Sequence, residues 1–338
     1  MVTSPDPRRY APCARLLATV FTLAAAMSSC APAPESVEPE TPQPEPTDAI
    51  AEATSLLGAG LHRPQLPEAT RARLEQNLAE AEEAYAASIT EDSTIWRGRR
   101  LGYLSRYQEA IDVLSTGIEQ FPESYRLRRH RGHRYISTRQ FDLAIADFEI
   151  AAELAANHED QVEPDGAPNA AGIPLGTDKF NIWYHLALAH YLSGDFEAAL
   201  AAYEECLAVS GNPDLLVATT DWMVMTLRRL GRADEAAPLL EAITADMEII
   251  ENDSYHRRLL MYKGQMAPED LLDLRTVADP DQALNIATQG YGVGNWHLTE
   301  GAAARAEEIY ARIIDGTSWA AFGYIAAEAD LARMQGAR

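Results

Sequence analysis

The segment YRLRRHRGHRY, residues 125–135, places five arginines and two histidines in a chain whose formal net charge is −23. A guanidinium presents a planar fork of donors that matches a carboxylate or phosphate in two-pronged geometry, so a row of arginines can hold an anion. Residues 91–140 carry ten arginines against six acids, a local balance of +4. His130 and His133 have the i, i+3 spacing at which two imidazoles on a helix can share a metal ion. The neighbouring arginines repel a cation, and the nearest carboxylate in the chain is Glu123. His185 and His190, or a carboxylate from a later loop, would have to converge on the pair to complete a ligand set. No metal is therefore expected, and the histidines read as neutral hydrogen-bonding groups or ligand contacts. The competing reading is architectural. Arg97, Arg128 and Arg131 occupy positions that ordinarily pack, with stems along the core edge and heads in water. Acidic segments such as 147–165 could neutralise the rest.

Other chemistry-bearing residues point to no reaction. Gly290-Tyr-Gly-Val-Gly294 follows no strand and has its third glycine out of place for a nucleotide loop, so it reads as a turn or a close helix contact. GxSxG, HExxH and P-loop patterns are absent from the sequence. Acid pairs such as Glu204/Glu205 and Glu307/Glu308 are adjacent on helices and diverge, which suits solvated faces. Asp165 with His133 could in principle act together, but no spacing requires it. Neither an enzyme nor a cofactor is expected.

The elements that must position the basic segment repeat. Gly98, Leu101, Tyr107, Ala110, Leu114 and Gly117 recur 34 residues later as Gly132, Tyr135, Phe141, Ala144, Phe148 and Ala151. This period, with a small residue in a first helix and a small–aromatic–small series in a second, resembles the tetratricopeptide repeat (TPR). Gly98 and Gly132 would let the first helix touch the second, and Pro122 would end the second helix of the first unit. A third unit, NIWYHLALAHYLSGDFEAALAAYEECLAV (181–209), fits with Trp183, Leu186, Ala187, Gly194, Phe196, Ala199 and Tyr203, and Cys206 takes the last small site as a buried hydrophobe. Looser units contain Gly231, Ala236 and Leu240, then Gly301, Ala306 and Tyr310. The expected fold is an all-α, TPR-like solenoid of four or five repeats, near 91–124, 125–158, 180–213, 217–250 and 287–320. A leading helix is expected over 68–88, and SWAAFGYIAAEADLARM reads as an amphipathic closing helix over the open end. About 21 extra residues separate repeats two and three, giving a Pro/Gly/Asp/Asn-rich insert at 154–178.

In such solenoids the first helices line a concave groove. Carried onto this chain, the resemblance puts Arg126, Arg129, His130, His133 and Ser137 of repeat two there, with Ile95, Trp96, Arg99 and Tyr103 of repeat one and Tyr184, His185, Leu188 and Leu192 of repeat three. Some family members clamp a partner's C-terminal carboxylate with lysine, asparagine and arginine. The matching places here read Ile95, Arg99, His130, Asn181 and His185, so that activity does not carry over.

The first residues speak for location. Arg8, Arg9 and Arg15 precede the short apolar run LLATVFTLAAAM, and the segment closes on Met27-Ser28-Ser29-Cys30. This resembles the lipobox of bacterial lipoproteins, apart from Met27 where leucine is usual. It implies a signal peptide over 1–29, acylation of Cys30 and, with Ala31 next, the outer membrane. Residues 31–48 hold six prolines and five acids, so 30–50 reads as an extended tether from which the 51–338 solenoid hangs. The acid excess of the whole chain argues against nucleic acid. The expected function is a non-catalytic, lipid-anchored periplasmic scaffold that binds an acidic peptide or partner protein through Trp96, Arg99, Tyr103, Arg126, Arg129, His130, His133, Tyr184 and His185. The alternative is a binder of a small anionic metabolite or, further off, an enzyme acting on one, with the insert closed over the same groove.

Overall fold

Glycine lets the early helices of this chain pack closely in pairs. The computed structural model describes residues 51–272 and 283–336. A Cβ on Gly98 would stand 2.9 Å from Leu114 Cγ, and one on Gly132 only 2.8 Å from Phe148 Cζ. A small hairpin, β1 (Ala53–Thr54) antiparallel to β2 (Gly60–Leu61), and the leading helix α1 (Glu68–Ala87) come first. The pairs follow: α2 (Glu91–Tyr103) with α3 (Tyr107–Gln120), α4 (Tyr125–Ser137) with α5 (Phe141–Ala155), and α6 (Asp178–Ser193) with α7 (Phe196–Ala208). Each first helix starts on a hydroxyl cap. Thr90 accepts from Ser93 N, Ser124 from Leu127 N and Thr177 from Phe180 N, each satisfying an otherwise orphaned donor. The first helices α2, α4 and α6 also touch one another in succession. The fold is an all-α, TPR-like solenoid.

Further along, the pairing loosens and then recovers. α8 (Pro213–Arg229) is followed by a 3-10 turn (Ala233–Ala236) and the five-residue α9 (Ala237–Glu241) where a full second helix would complete the unit. Pro238 sits in the first turn of α9, where proline is tolerated, but it could not stand inside one helix running on from Ala233, because it lacks an N–H and its ring would clash with the turn before it. α10 (Asp253–Tyr262) and the short α11 (Pro268–Leu271) pack beside it, and α12 (Ala283–Thr299) with α13 (Ala303–Ile314) restores a pair. The glycines of 290–294 lie in α12, where a Cβ on Gly294 would come 2.4 Å from Tyr310 Cε1; they are helix contacts. Cys206 is fully buried, its thiol 3.2 Å from Thr219 Oγ1 and pushed up to about 12 by burial.

The last helix corrects an expectation. α14 (Phe322–Gly336) is not an amphipathic lid, because every residue from Gly323 to Leu331 is buried. Small residues on several faces, Gly323, Ala326, Ala327 and Ala329, admit neighbours all round. Its two buried acids are each met by arginine: Glu328 by Arg139 at 2.6 Å, Asp330 by Arg229 at 2.7 Å and Arg333 at 2.7 Å. α14 packs on α12 and α13 and reaches α6. Glu328 also accepts from Leu56 N, and Trp319 Nε1 donates to His62 O at 2.7 Å, so the hairpin segment is held against the C-terminal one. The expected signal peptide, the tether and the acylated Cys30 lie outside the described residues. Among the described residues no helix is long and apolar enough to cross a membrane.

Candidate functional site

Helix α4 turns Leu127 and Ile136 fully into the core, which spreads its five arginines along the two edges of the contact. Four of the five meet a carboxylate. Arg126 NH1 donates to Asp92 Oδ1 at 2.7 Å. Arg131 grips Asp147 side-on, Nε to Oδ2 and NH2 to Oδ1, both at 2.7 Å, and Arg128 NH1 stands 3.6 Å from Asp147 Oδ1. Arg129 Nε lies 3.1 Å from Glu163 Oε2. Arg134 is the fifth; its guanidinium packs over the Tyr107 ring at 5.4 Å and makes no hydrogen bond or ion pair with any described residue.

Glu163 comes from the insert. That segment is closed on itself by an antiparallel bridge between Val162 and Thr177, with Glu163 N donating to Gly176 O at 2.9 Å. It then lies across the first helices: Arg99 NH1 donates to Pro164 O at 2.7 Å and Arg100 NH1 to Gly166 O at 3.0 Å. The Glu163 carboxylate, 8% exposed, accepts from Asn181 Nδ2 at 3.0 Å and faces Arg99 at 3.7 Å, Arg129 at 3.1 Å and His130 Nε2 at 3.8 Å. Arg129 NH1 is 2.9 Å from His130 Nδ1. An arginine can only donate there, so His130 is neutral with its proton on Nε2, toward Glu163. Burial, then Arg129 and Arg99, holds the His130 pKa well below its ordinary value; burial, then Arg134, does the same for His133. His185 donates from Nδ1 to Asn181 O, and its pKa falls to about 3 through burial first and Arg129 second.

The insert divides the region in two. Outside is a solvent-open cleft of about 510 Å³, floored by Arg99, Arg129 and Glu163 and walled by Pro164, Pro174, Leu175 and Ile250, with Asp165 and Glu251 also on its lining. Inside is a smaller chamber of about 120 Å³, lined by Arg99, Arg129, Arg134, His130, His133, Tyr103 and Glu163.

The nine residues expected to face a groove therefore separate. Arg99, Tyr103, Arg129, His130 and His133 converge at the chamber. Trp96 supports it from below, its ring 4.6 Å from the Arg99 guanidinium. Arg126 is taken up by Asp92 at the helix start. Tyr184 and His185 are buried, and they are not available to a partner. Phe322 of α14 fills the space beside His133 and His185, with ring centroids 5.4 and 5.6 Å away, so an open groove does not run through repeat three. Sequence reasoning missed Glu163 and Arg134. Glu163 sits in an irregular insert without periodicity to place it, and Arg134 falls between the groove positions that the repeat register supplies. Asp147 was findable, as the lone acid on the core stripe Ala144–Phe148–Ala151. Among the described residues no group of three or more His, Cys, Asp or Glu side chains is placed to hold a metal ion.

The model of the family described as "Tetratricopeptide repeat" matches residues 180–213, which span α6 and α7. The chain carries a tetratricopeptide repeat. Solved structures similar to this TPR chain include MamA AMB-1, at 20% identity over 51% of this chain and 89% of that one, with a TM-score of 0.38. MamA MSR-1 is 17% identical over 58% and 91%, with a TM-score of 0.38. The P58(IPK) TPR domain is 14% identical over 79% and 76%, with a TM-score of 0.26. No curated protein matches the sequence.

Proposed function

We propose that this TPR chain is a non-catalytic scaffold, tethered through acylated Cys30 to the periplasmic face of the outer membrane, that holds an acidic segment of a partner protein in the cleft between the insert, α2 and α4. The observation that carries this reading is the outer cleft itself, in which two arginines lie at the floor between apolar walls. Pro164, Pro174, Leu175 and the half-exposed Ile250 offer the apolar contact that an extended peptide needs. Arg99 and Arg129 already share Glu163, and Asp165 and Glu251 add negative charge. A partner carboxylate therefore binds by taking the place of Glu163, and its sequence neighbours rest on the walls. A stable complex of this kind buries on the order of 1,000 Å² or more, so the insert and the 250–251 loop both take part.

The test uses the full chain as immobilised bait in an envelope extract, beside Glu163→Gln and the double variant Arg99→Ala/Arg129→Ala. The scaffold reading expects one partner that the unaltered chain captures, that Glu163→Gln captures more strongly and that the double variant loses. About 0.5 M salt, with a screening length of roughly 4 Å, should release it. Equal capture by all three baits would remove the cleft as the binding site.

A further inference from the structure

The chamber under the insert holds more positive charge than the fold uses. Arg99, Arg129 and Arg134 line it against one carboxylate, Glu163, and its two histidines are neutral, which leaves a balance of +3 − 1 = +2 in a partly enclosed space. Elsewhere on α4 every arginine faces a carboxylate, Arg126 at Asp92 and Arg128 with Arg131 at Asp147; here Arg134 faces none. Arg99 and Arg129 keep only 12% and 10% of their side-chain exposure and share one carboxylate, and charge withdrawn from water without a full partner is costly, so the imbalance calls for an occupant. We propose that this chamber binds a tetrahedral dianion of the phosphate or sulfate class, free or as the end group of a larger molecule, gripped by Arg99, Arg129 and Arg134.

Three features fix the class. A dianion brings the chamber to neutrality, whereas a single carboxylate leaves a buried positive charge. Donors are in place: the Arg134 fork is unbonded among the described residues, Arg129 Nε makes no hydrogen bond despite its nearness to Glu163, and Tyr103 OH, which accepts from Arg99 NH2 at 3.4 Å, keeps its own proton to give. The space, about 120 Å³, is several times the roughly 10–15 Å³ that one water occupies by the same measure, so it has room for an oxyanion. Glu163 stands between chamber and cleft. The ligand enters when that carboxylate turns outward, and a larger molecule would keep its remainder in the cleft. This deepens the scaffold reading of the same region, since Arg99 and Arg129 line both spaces, but Arg134 lines the chamber and not the cleft.

The full chain, dialysed free of phosphate and sulfate, is titrated calorimetrically with inorganic phosphate, sulfate, glycerol 3-phosphate and acetate at up to millimolar concentrations. The two dianionic salts should bind about tenfold or more tightly than acetate, and the glycerol phosphate arm tells a free ion from an end group. Arg134→Gln should weaken phosphate binding by about tenfold or more, the usual scale for one charge-assisted bond. Glu163→Gln should strengthen it by a similar factor, a direction that a folding defect cannot produce. Absence of phosphate binding in both the unaltered chain and Glu163→Gln overturns the proposal. So does undiminished binding by Arg134→Gln, whatever becomes of partner capture, because that residue is outside the cleft.

Discussion

Replacing Asp147 with alanine is the sharpest test of how α4 is held. Asp147 is 3% exposed and accepts two bonds from Arg131 at 2.7 Å, with Arg128 at 3.6 Å. Removing one partner of a buried pair costs about 3–5 kcal/mol, because the other charge is left without compensation. Arg131 retains 17% side-chain exposure and a bond to Ser115 Oγ at 3.0 Å, which lets some water and one acceptor remain. The expected loss is therefore near the lower limit, about 3 kcal/mol. For a domain of this size that lowers the melting temperature by about 5 °C, read by circular dichroism at 222 nm. Arg131→Met should cost less, since Arg128 still faces the carboxylate. The double variant Asp147→Leu/Arg131→Met should recover most of the loss, as apolar replacement of a buried pair commonly does. A drop of under about 1 kcal/mol for Asp147→Ala, or a double variant as unstable as the sum of the singles, would refute the claim that this pair holds α4 against α5.

Three further outcomes follow from particular contacts. Gly132→Ala should destabilise the chain by about 1–3 kcal/mol, because its new Cβ would meet the Phe148 ring at 2.8 Å; pairing it with Phe148→Leu should restore part of the melting temperature. His185 has its pKa depressed from 6.5 to about 3, so the unfolded chain binds its proton first: stability from this residue is full above pH 6.5 and falls as the pH drops toward 3. Between those limits the slope should be about 1.4 kcal/mol per pH unit for this one proton, and His185→Gln should remove that proton from the pH dependence of urea unfolding. Cys206, buried with its thiol pushed up to about 12, should react with a thiol reagent only as fast as the fold opens, which residue-resolved mass spectrometry can follow with and without urea.

The repeat architecture was legible because close approach demands specific residues. Gly98, Gly132, Ala110 and Ala144 are small for a reason that spacing reveals, and the structure puts Ala110 and Ala144 at zero exposure. The basic segment was legible as a place but not as a site. Its residue types gave the candidates, yet which arginine stayed unmatched depended on Asp92, Asp147 and Glu163, which approach from three different elements. Glu163 could not be placed from sequence, since an insert held by a single bridge has no period to set its register. The burial of Tyr184 and His185 was likewise hidden, because Tyr255 lies against the first and Phe322 against the second, about 70 and more than a hundred residues further along the chain. The closing helix misled for a related reason. Charged residues in an apolar run suggest a solvated face, and Glu328 and Asp330 are instead matched inside the protein by Arg139, Arg229 and Arg333.

The latch between the β1–β2 hairpin and the segment around α14 has a consequence for how the protein is made. An open array of repeats can nucleate anywhere and grow, since each unit leans only on its neighbours. Here Glu328 bonds Leu56 N and Arg139, and Trp319 bonds His62 O and packs edge-on against Tyr107 at 5.3 Å. The first repeats thus remain unfinished until the last helix has been synthesised. Closing so long a loop raises contact order and slows the final step. Deletion of α14 should therefore loosen α3 and the turn after α4, which lie roughly two hundred residues before it in the sequence.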